Sequence, residues 1–486
     1  MRYIPRAVTV AAAAAALALL AYSCGAGASA VPAGRGGADG AVDAISCASA
    51  GNCTAVGHLA PPNRKVLFTV SEKNGVWGTA RAVPGTAALL GRKTSGARFS
   101  GVSCSSAGNC GAGGSYSPNA GRTRAFVVSE KNGVWGKAKQ VTGLAAPAAD
   151  HFASIDTVTC PSAGTCSAGG SYALGGGRFH DTNRVAFLVS EKHGVWGKAQ
   201  KVAGLARLNT GGGAPDGPDA LFNQISCSSA GNCLAAGFYN GTKGTEPLAV
   251  TEKHGVWGSA RAFPAIIAIN DGQFAELTSV SCTLARNCTA VGFLFFSENG
   301  GEVFAMSQKN GIWGPVTGIP ENYPSGHIGS LTCLSAGHCT AGGDDIEDLN
   351  NTGATQPFIA AEQHGTWTSQ RLPGVAELSA DTMSASLSGV ICRSAGSCSA
   401  AGTYGARSGS GVFVSAEQNG TWGTAIDLPG LADLGRGGWP PELSCGAPGD
   451  CGLGGFYNAG RLRKPYLASQ HQGIWGQAHE VTGIEP

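Results

Sequence analysis

The chain has 486 residues, 43% of them apolar and only 13% charged, with 77 glycines and a formal net charge of +2. A charged share about half the usual one excludes long surface helices, and the lack of any basic run excludes a nucleic-acid face. What remains is a chain able to fill a large core with short strands and many turns.

In chain order, the first element is an export signal. Arg2 and Arg6 precede an uncharged apolar run from Val8 to Tyr22, of signal length and too short for a comfortable permanent membrane span. Two processing sites compete. Ala28-Ser29-Ala30 would release a chain starting at Val31, which makes 1–30 the signal peptide. Leu20-Ala21-Tyr22-Ser23-Cys24 resembles a lipobox, in which Cys24 becomes a lipidated N-terminus. Residues 31–40, rich in Gly and Ala, read as a flexible linker, and 41–486 as one repeat domain. The mature chain is expected to be extracytoplasmic, secreted or on the cell surface. It is expected to be a monomer that meets a membrane only through that optional lipid.

Eight copies of one unit follow. Sixteen of the 17 cysteines fall in C-x5-C pairs: Cys47–Cys53, Cys104–Cys110, Cys160–Cys166, Cys227–Cys233, Cys282–Cys288, Cys333–Cys339, Cys392–Cys398 and Cys445–Cys451. First cysteines recur every 51 to 67 residues, and Cys24 is the odd one out. Each unit reads as four short strands: the apolar approach to the first Cys, the segment after the second Cys, an alternating run such as Val66–Val70, and a strand starting at a repeated Trp. That Trp is Trp77, Trp135, Trp196, Trp257, Trp313, Trp367, Trp422 or Trp475. An X-Gly pair before it, such as Asn74-Gly75 or His193-Gly194, suits a two-residue hairpin turn with φ > 0 at both positions. Cysteines six apart can face each other across the first hairpin, so eight intra-unit disulfides are expected, suited to an oxidising compartment. Two ligands per unit without a repeated His make a poor zinc site. Four-stranded antiparallel units at this period predict an all-β, eight-bladed β-propeller with one disulfide per blade, the Trp lying between blades. An open array of eight units is the alternative.

The Ser-Glu-Lys-Asn-Gly-Val-Trp block at residues 71–77 resembles a degenerate Asp-box of the BNR-type repeats in sialidase-like propellers, where the box also lies on the last hairpin of the blade. With the paired cysteines, the pattern also resembles exported repeat proteins of actinobacteria, from which no activity carries over. The sialidase resemblance implies an arginine triad and a Tyr–Glu pair, but the arginines here are scattered through loops without such an arrangement.

Residues used once per unit read as structural or solvated: Glu72, Glu130, Glu191, Glu252, Glu362 and Glu417, and the turn residues His193, His254 and His364. The Ser and Thr before first cysteines lack a nucleophile elbow or a His partner. The two short turns of a unit hardly vary, whereas the two-to-three and four-to-one connections are long and different each time. In a meander those long connections share one face, and a rigid scaffold carries binding on such loops. Non-repeat residues there are the ligand candidates: Trp439 in a Pro/Gly-rich loop, Tyr323, and His180 with Asp181. Asp344, Asp345, Glu347 and Asp348 put four carboxylates in five residues, fit for Ca²⁺, with a solvated acidic loop as the alternative. No other cofactor and no catalytic residue is expected. The expected function is an exported non-catalytic binding or scaffold propeller for glycan or protein. A glycan-active hydrolase or lyase and a structural surface protein are the alternatives.

Overall fold

Alternating apolar residues between glycine-bearing turns fold each unit into an antiparallel meander, and eight such sheets follow in chain order. The computed structural model describes residues 38–483 except 62–64, 92–95, 120–121, 145–151, 174–182, 213–216, 270–272, 297–299, 321–325, 347–353, 381, 383, 408 and 439–440. The blades span residues 39–82, 96–140, 153–201, 220–257, 275–318, 326–371, 385–427 and 442–480. The first strand, Asp39–Ser49, takes in Asp39 and Gly40, two residues that the sequence reading gave to the linker. Their backbone pairs with Ala60 and Leu59.

All eight disulfides join the expected pairs. Their Cα atoms lie 3.9 to 4.0 Å apart, closer than the about 4.5–5.5 Å of ordinary antiparallel partners. A register shift sits between each bridge and its turn, as between Cys47 and Ser49. At the last hairpin, φ is positive at both turn residues, for example 50° at Asn74 and 81° at Gly75. The three His turn residues do what Asn does elsewhere, with φ of 50° to 53°. The two short turns of a blade are tied together: Gly75 N donates to Gly51 O at 2.9 Å, and each of the other blades has its counterpart. Both short turns therefore lie on one face, and the long connections on the other.

In most blades the fourth strand is broken after the Trp, as Val76–Trp77 and Arg81–Ala82. Blade six has Thr368 where blade one has Gly78, and its fourth strand runs unbroken over Thr366–Arg371. Glycine is required at one inner position. A Cβ on Gly57 would collide with the Ala41 carbonyl and the Phe68 ring that lies across it.

The ring closes. Eight apolar clusters each combine residues of two adjacent blades, and the last joins Val42 and Phe68 of blade one to Leu467 of blade eight. First strands of successive blades touch all the way round, so they form the innermost layer. The repeated residues stitch the seams. At five seams the hydroxyl before a first Cys accepts from the next blade's Cys N–H, as Ser46 from Cys104 at 2.9 Å, Ser103 from Cys160 at 2.9 Å, and Ser444 from Cys47 at 2.9 Å. In blade six Thr332 Oγ1 donates to Val390 O instead. Blade seven has Ile391 at that position, and there Arg393 Nε donates instead to Cys445 O at 2.5 Å. Further out, Ala138 N of blade two donates to Pro84 O of blade one at 2.8 Å. The same bond joins the chain ends, from Ala80 N to Thr482 O at 2.8 Å. The protein is an eight-bladed β-propeller of four-stranded antiparallel blades, with one disulfide in each.

Candidate functional site

The Trp and Glu of the repeat both point into the seam with the preceding blade. Between blades two and three, Trp196 Nε1 donates to Ser129 Oγ at 2.8 Å, and Ser129 Oγ donates to Glu191 at 2.5 Å. Between blades eight and one, Trp77, Ser469 and Glu72 repeat that relay at 2.8 and 2.5 Å. In both places one serine serves the indole N–H and one carboxylate oxygen together, although Glu191 Oε2 stays without a partner.

The seam between blades one and two differs. It opens on the short-turn face as a groove of about 570 Å³, with Thr54, Thr69, Ser71 and Lys73 from blade one and Glu130 and Trp135 from blade two in its walls. Glu130 is 6% exposed, yet its Oε2 has no hydrogen-bond partner, and neither has the buried Trp135 Nε1. Burial pushes the Glu130 carboxyl above its usual range, and the nearby Lys73 ammonium pulls it back. Between blades three and four the lysine equivalent to Lys73 covers the next blade's turn: Lys192 Nζ donates to Gly255 O at 3.2 Å. Gly133, at the matching place in blade two, has nothing within 4 Å of where its Cβ would be, as has Gly194 in blade three. The second carboxylate in the wall, Glu72, is already held by Ser469.

An unpaired buried acceptor beside an unpaired donor costs free energy unless a ligand supplies both partners. A hydroxyl does so, because it donates to the carboxylate and accepts from the indole N–H. Sequence reasoning took Glu130 as one of six equivalent structural or solvated residues and missed this site. No sequence signal could have found it, since Ser71, Glu130 and Trp135 match Ser129, Glu191 and Trp196 residue for residue.

Of the sequence candidates, Trp439, Tyr323, His180, Asp181, Glu347, Asp348 and Cys24 lie outside the described residues. Asp344 and Asp345 are consecutive residues of the strand His338–Ile346. Their side chains point to opposite faces of the sheet and do not converge. Asp344 clasps blade seven, accepting from Leu387 N at 2.7 Å and Ser386 Oγ at 2.6 Å. Asp43 does the same for blade two, accepting from Phe99 N at 3.0 Å. Blade six has Gly329 where blade one has Asp43, so the carboxylate comes from the neighbouring strand instead. Burial pushes the Asp344 carboxyl up to about 6. Asp345 is fully buried. A smaller cavity of about 330 Å³ on the central axis is lined by Gln224, Ser279, Ser330, Arg393 and Glu442. Among the described residues one grouping of metal-ligating types occurs, Cys392, Cys398 and Glu417, and its sulfurs are joined in a disulfide.

No protein-family model and no curated protein sequence matches the chain. Among solved structures it is similar to YCF48 from Cyanidioschyzon merolae, at 12% identity and a TM-score of 0.42 over 79% of this chain and 97% of that one. It is also similar to the Hadza microbial sialidase Hz136, at 12% and 0.39 over 74% and 73%. A PL25 ulvan lyase structure matches at 8% and 0.42 over 92% and 94%. The fold stands on the blades themselves. Among the described residues no helix is long and apolar enough to cross a membrane.

Proposed function

We propose that the protein is an exported, non-catalytic binding propeller whose ligand is a hydroxyl-rich glycan end seated between blades one and two. The observation that carries this reading is the pair of unpartnered buried groups, Glu130 Oε2 and Trp135 Nε1, in an open groove. At the seams on either side, the equivalent indole and carboxylate are joined through a serine. Sugar hydroxyls complete both groups, and the Thr54, Thr69 and Ser71 hydroxyls offer further partners along the wall. The eight disulfides fit an oxidising, extracytoplasmic setting.

Calorimetric titration with neutral oligosaccharides that score on a glycan array tests the reading. Glu130→Gln and Trp135→Phe should each weaken binding by about 1.5–3 kcal/mol, roughly tenfold or more in affinity, with the melting temperature held. Binding that ignores both substitutions, or a propeller that takes no neutral glycan, would overturn it. Turnover of a chromogenic glycoside abolished by Glu130→Gln would make the protein an enzyme instead.

A further inference from the structure

The hairpin tips on the short-turn face carry a pattern that neither the fold nor the groove needs. The residue after the turn glycine is Val76, Val134, Val195, Val256, Ile312 or Ile474 in blades one to five and eight, each 63% to 76% exposed. These six blades are contiguous around the ring. Directly across the hairpin from the aliphatic residue stands Lys73, Lys131, Lys192, Lys253 or Lys309 in blades one to five, and His471 in blade eight. Cross-strand partners project to the same side of a sheet, so the tips of blades one to five each present a lysine beside an aliphatic group, and that of blade eight an imidazole hydrogen-bonded to Asp450. Blades six and seven have neither. There the pairs are Gln363 with Thr366 and Gln418 with Thr421, and the hairpins form equally well. In blades one to seven lysine and aliphatic residue thus come and go together, which turn chemistry does not explain. The first turns of blades one to five contain no Asp or Glu, and Leu284 adds a further aliphatic residue 66% exposed on the same face.

We propose that this arc is a docking face for an anionic lipid surface. Equivalent positions of a ring lie in one plane, so a flat surface meets all six tips at once. A protein partner would need a continuous apolar patch, whereas here one aliphatic residue per blade is spaced around the rim. A soluble polyanion would use the lysines and leave the aliphatic groups idle. A bilayer interface uses both, with apolar groups entering the headgroup boundary and lysines meeting anionic headgroups.

Co-sedimentation of the full chain with vesicles of phosphatidylglycerol and phosphatidylcholine tests this. Binding is expected to the mixed vesicles, weaker in high salt, and absent with phosphatidylcholine alone. The triple variants Val134→Ser/Val195→Ser/Val256→Ser and Lys131→Gln/Lys192→Gln/Lys253→Gln should each cut vesicle partition at least tenfold at unchanged melting temperature. All variants share one N-terminus, so the difference between them reports this face and not a lipid on the chain. Thr366→Val/Thr421→Val should strengthen binding. Trp135→Phe should leave it unchanged, which separates this face from the glycan groove. Vesicle partition untouched by the Val triple overturns the proposal. So does tight binding of a soluble polyanion that the Val triple leaves intact while vesicles are ignored. Concentration-dependent self-association lost in the Val triple, without vesicle binding, would reassign the face to a second copy of the chain.

Discussion

Arg286 occupies a place in blade five that the other seven first turns give to glycine, with φ of 62° against 62° to 77° for those glycines. A left-handed backbone costs a non-glycine residue about 1–2 kcal/mol, and the greater freedom of glycine in the unfolded chain returns roughly 0.4–1 kcal/mol of that. Arg286→Gly should therefore stabilise the protein by about 0.5–1 kcal/mol, read as a higher urea midpoint at an unchanged slope. At the same scale, the serine that begins each Ser-Glu-Lys block shows how little a lone residue reveals. Ser129 and Ser469 complete relays across their seams. Ser71, in the same local sequence as Ser129, lines a groove.

The first hairpin of each blade is legible in the amino-acid sequence because everything that specifies it is local. The cysteine spacing, the glycine of the turn and the apolar alternation all act within about a dozen residues. The same holds for the last hairpin, where φ at Asn or His and at Gly follows from the turn type alone. What joins the blades shows in the sequence only as repetition without partners. Ser before Cys, Glu before Lys, and Trp after the turn each meet a group roughly 50 to 70 residues away, a pairing that spacing cannot specify. The loops expected to carry a site contribute Asp344, whose role as a clasp follows from a glycine at residue 329 on the neighbouring strand. A local staple predicts a local effect. Closing a ring of seven residues is worth roughly 2.4 kcal/mol by chain entropy. Cys227→Ala/Cys233→Ala should lose about that much in thermal or denaturant unfolding while the fold stays intact. Loss of the ring architecture in that variant, seen by small-angle scattering, would show that the bridge does more than tighten its hairpin.

Across the whole molecule, buried carboxyls set the response to pH. Burial pushes Asp156 up to about 6 and Glu276 up to about 7, and burial with Asp43 nearby pushes Glu442 up to about 7. Glu72, Glu130, Glu191 and Glu252 are raised by burial too. Such a group holds its proton more tightly folded than unfolded. The stability it contributes is fully present below its unfolded pKa and is lost as pH rises through the folded one. The Arg463 hydrogen bond lowers Asp39, burial of Glu480 is outweighed by the Lys464 and Tyr457 hydrogen bonds that lower it, and burial lowers His327, so these three run the other way. The melting temperature should therefore fall as pH rises from about 4.5 to about 7, and a flat or rising profile over that window would contradict the burial of these groups. The join between blades eight and one has a mechanical meaning as well. Among the described residues it is made by Ala80 N on Thr482 O, Cys47 N on Ser444 Oγ, Arg463 on Asp39, the Trp77–Ser469–Glu72 relay and the packing of Val42 and Phe68 on Leu467, and no strand crosses it. Tension applied between the two chain ends would load this one seam across its bonds and leave the ladders inside the blades unstressed. The ring would part there first, as a clasp opens before the links of a bracelet stretch, and each blade would keep its disulfide and its shape.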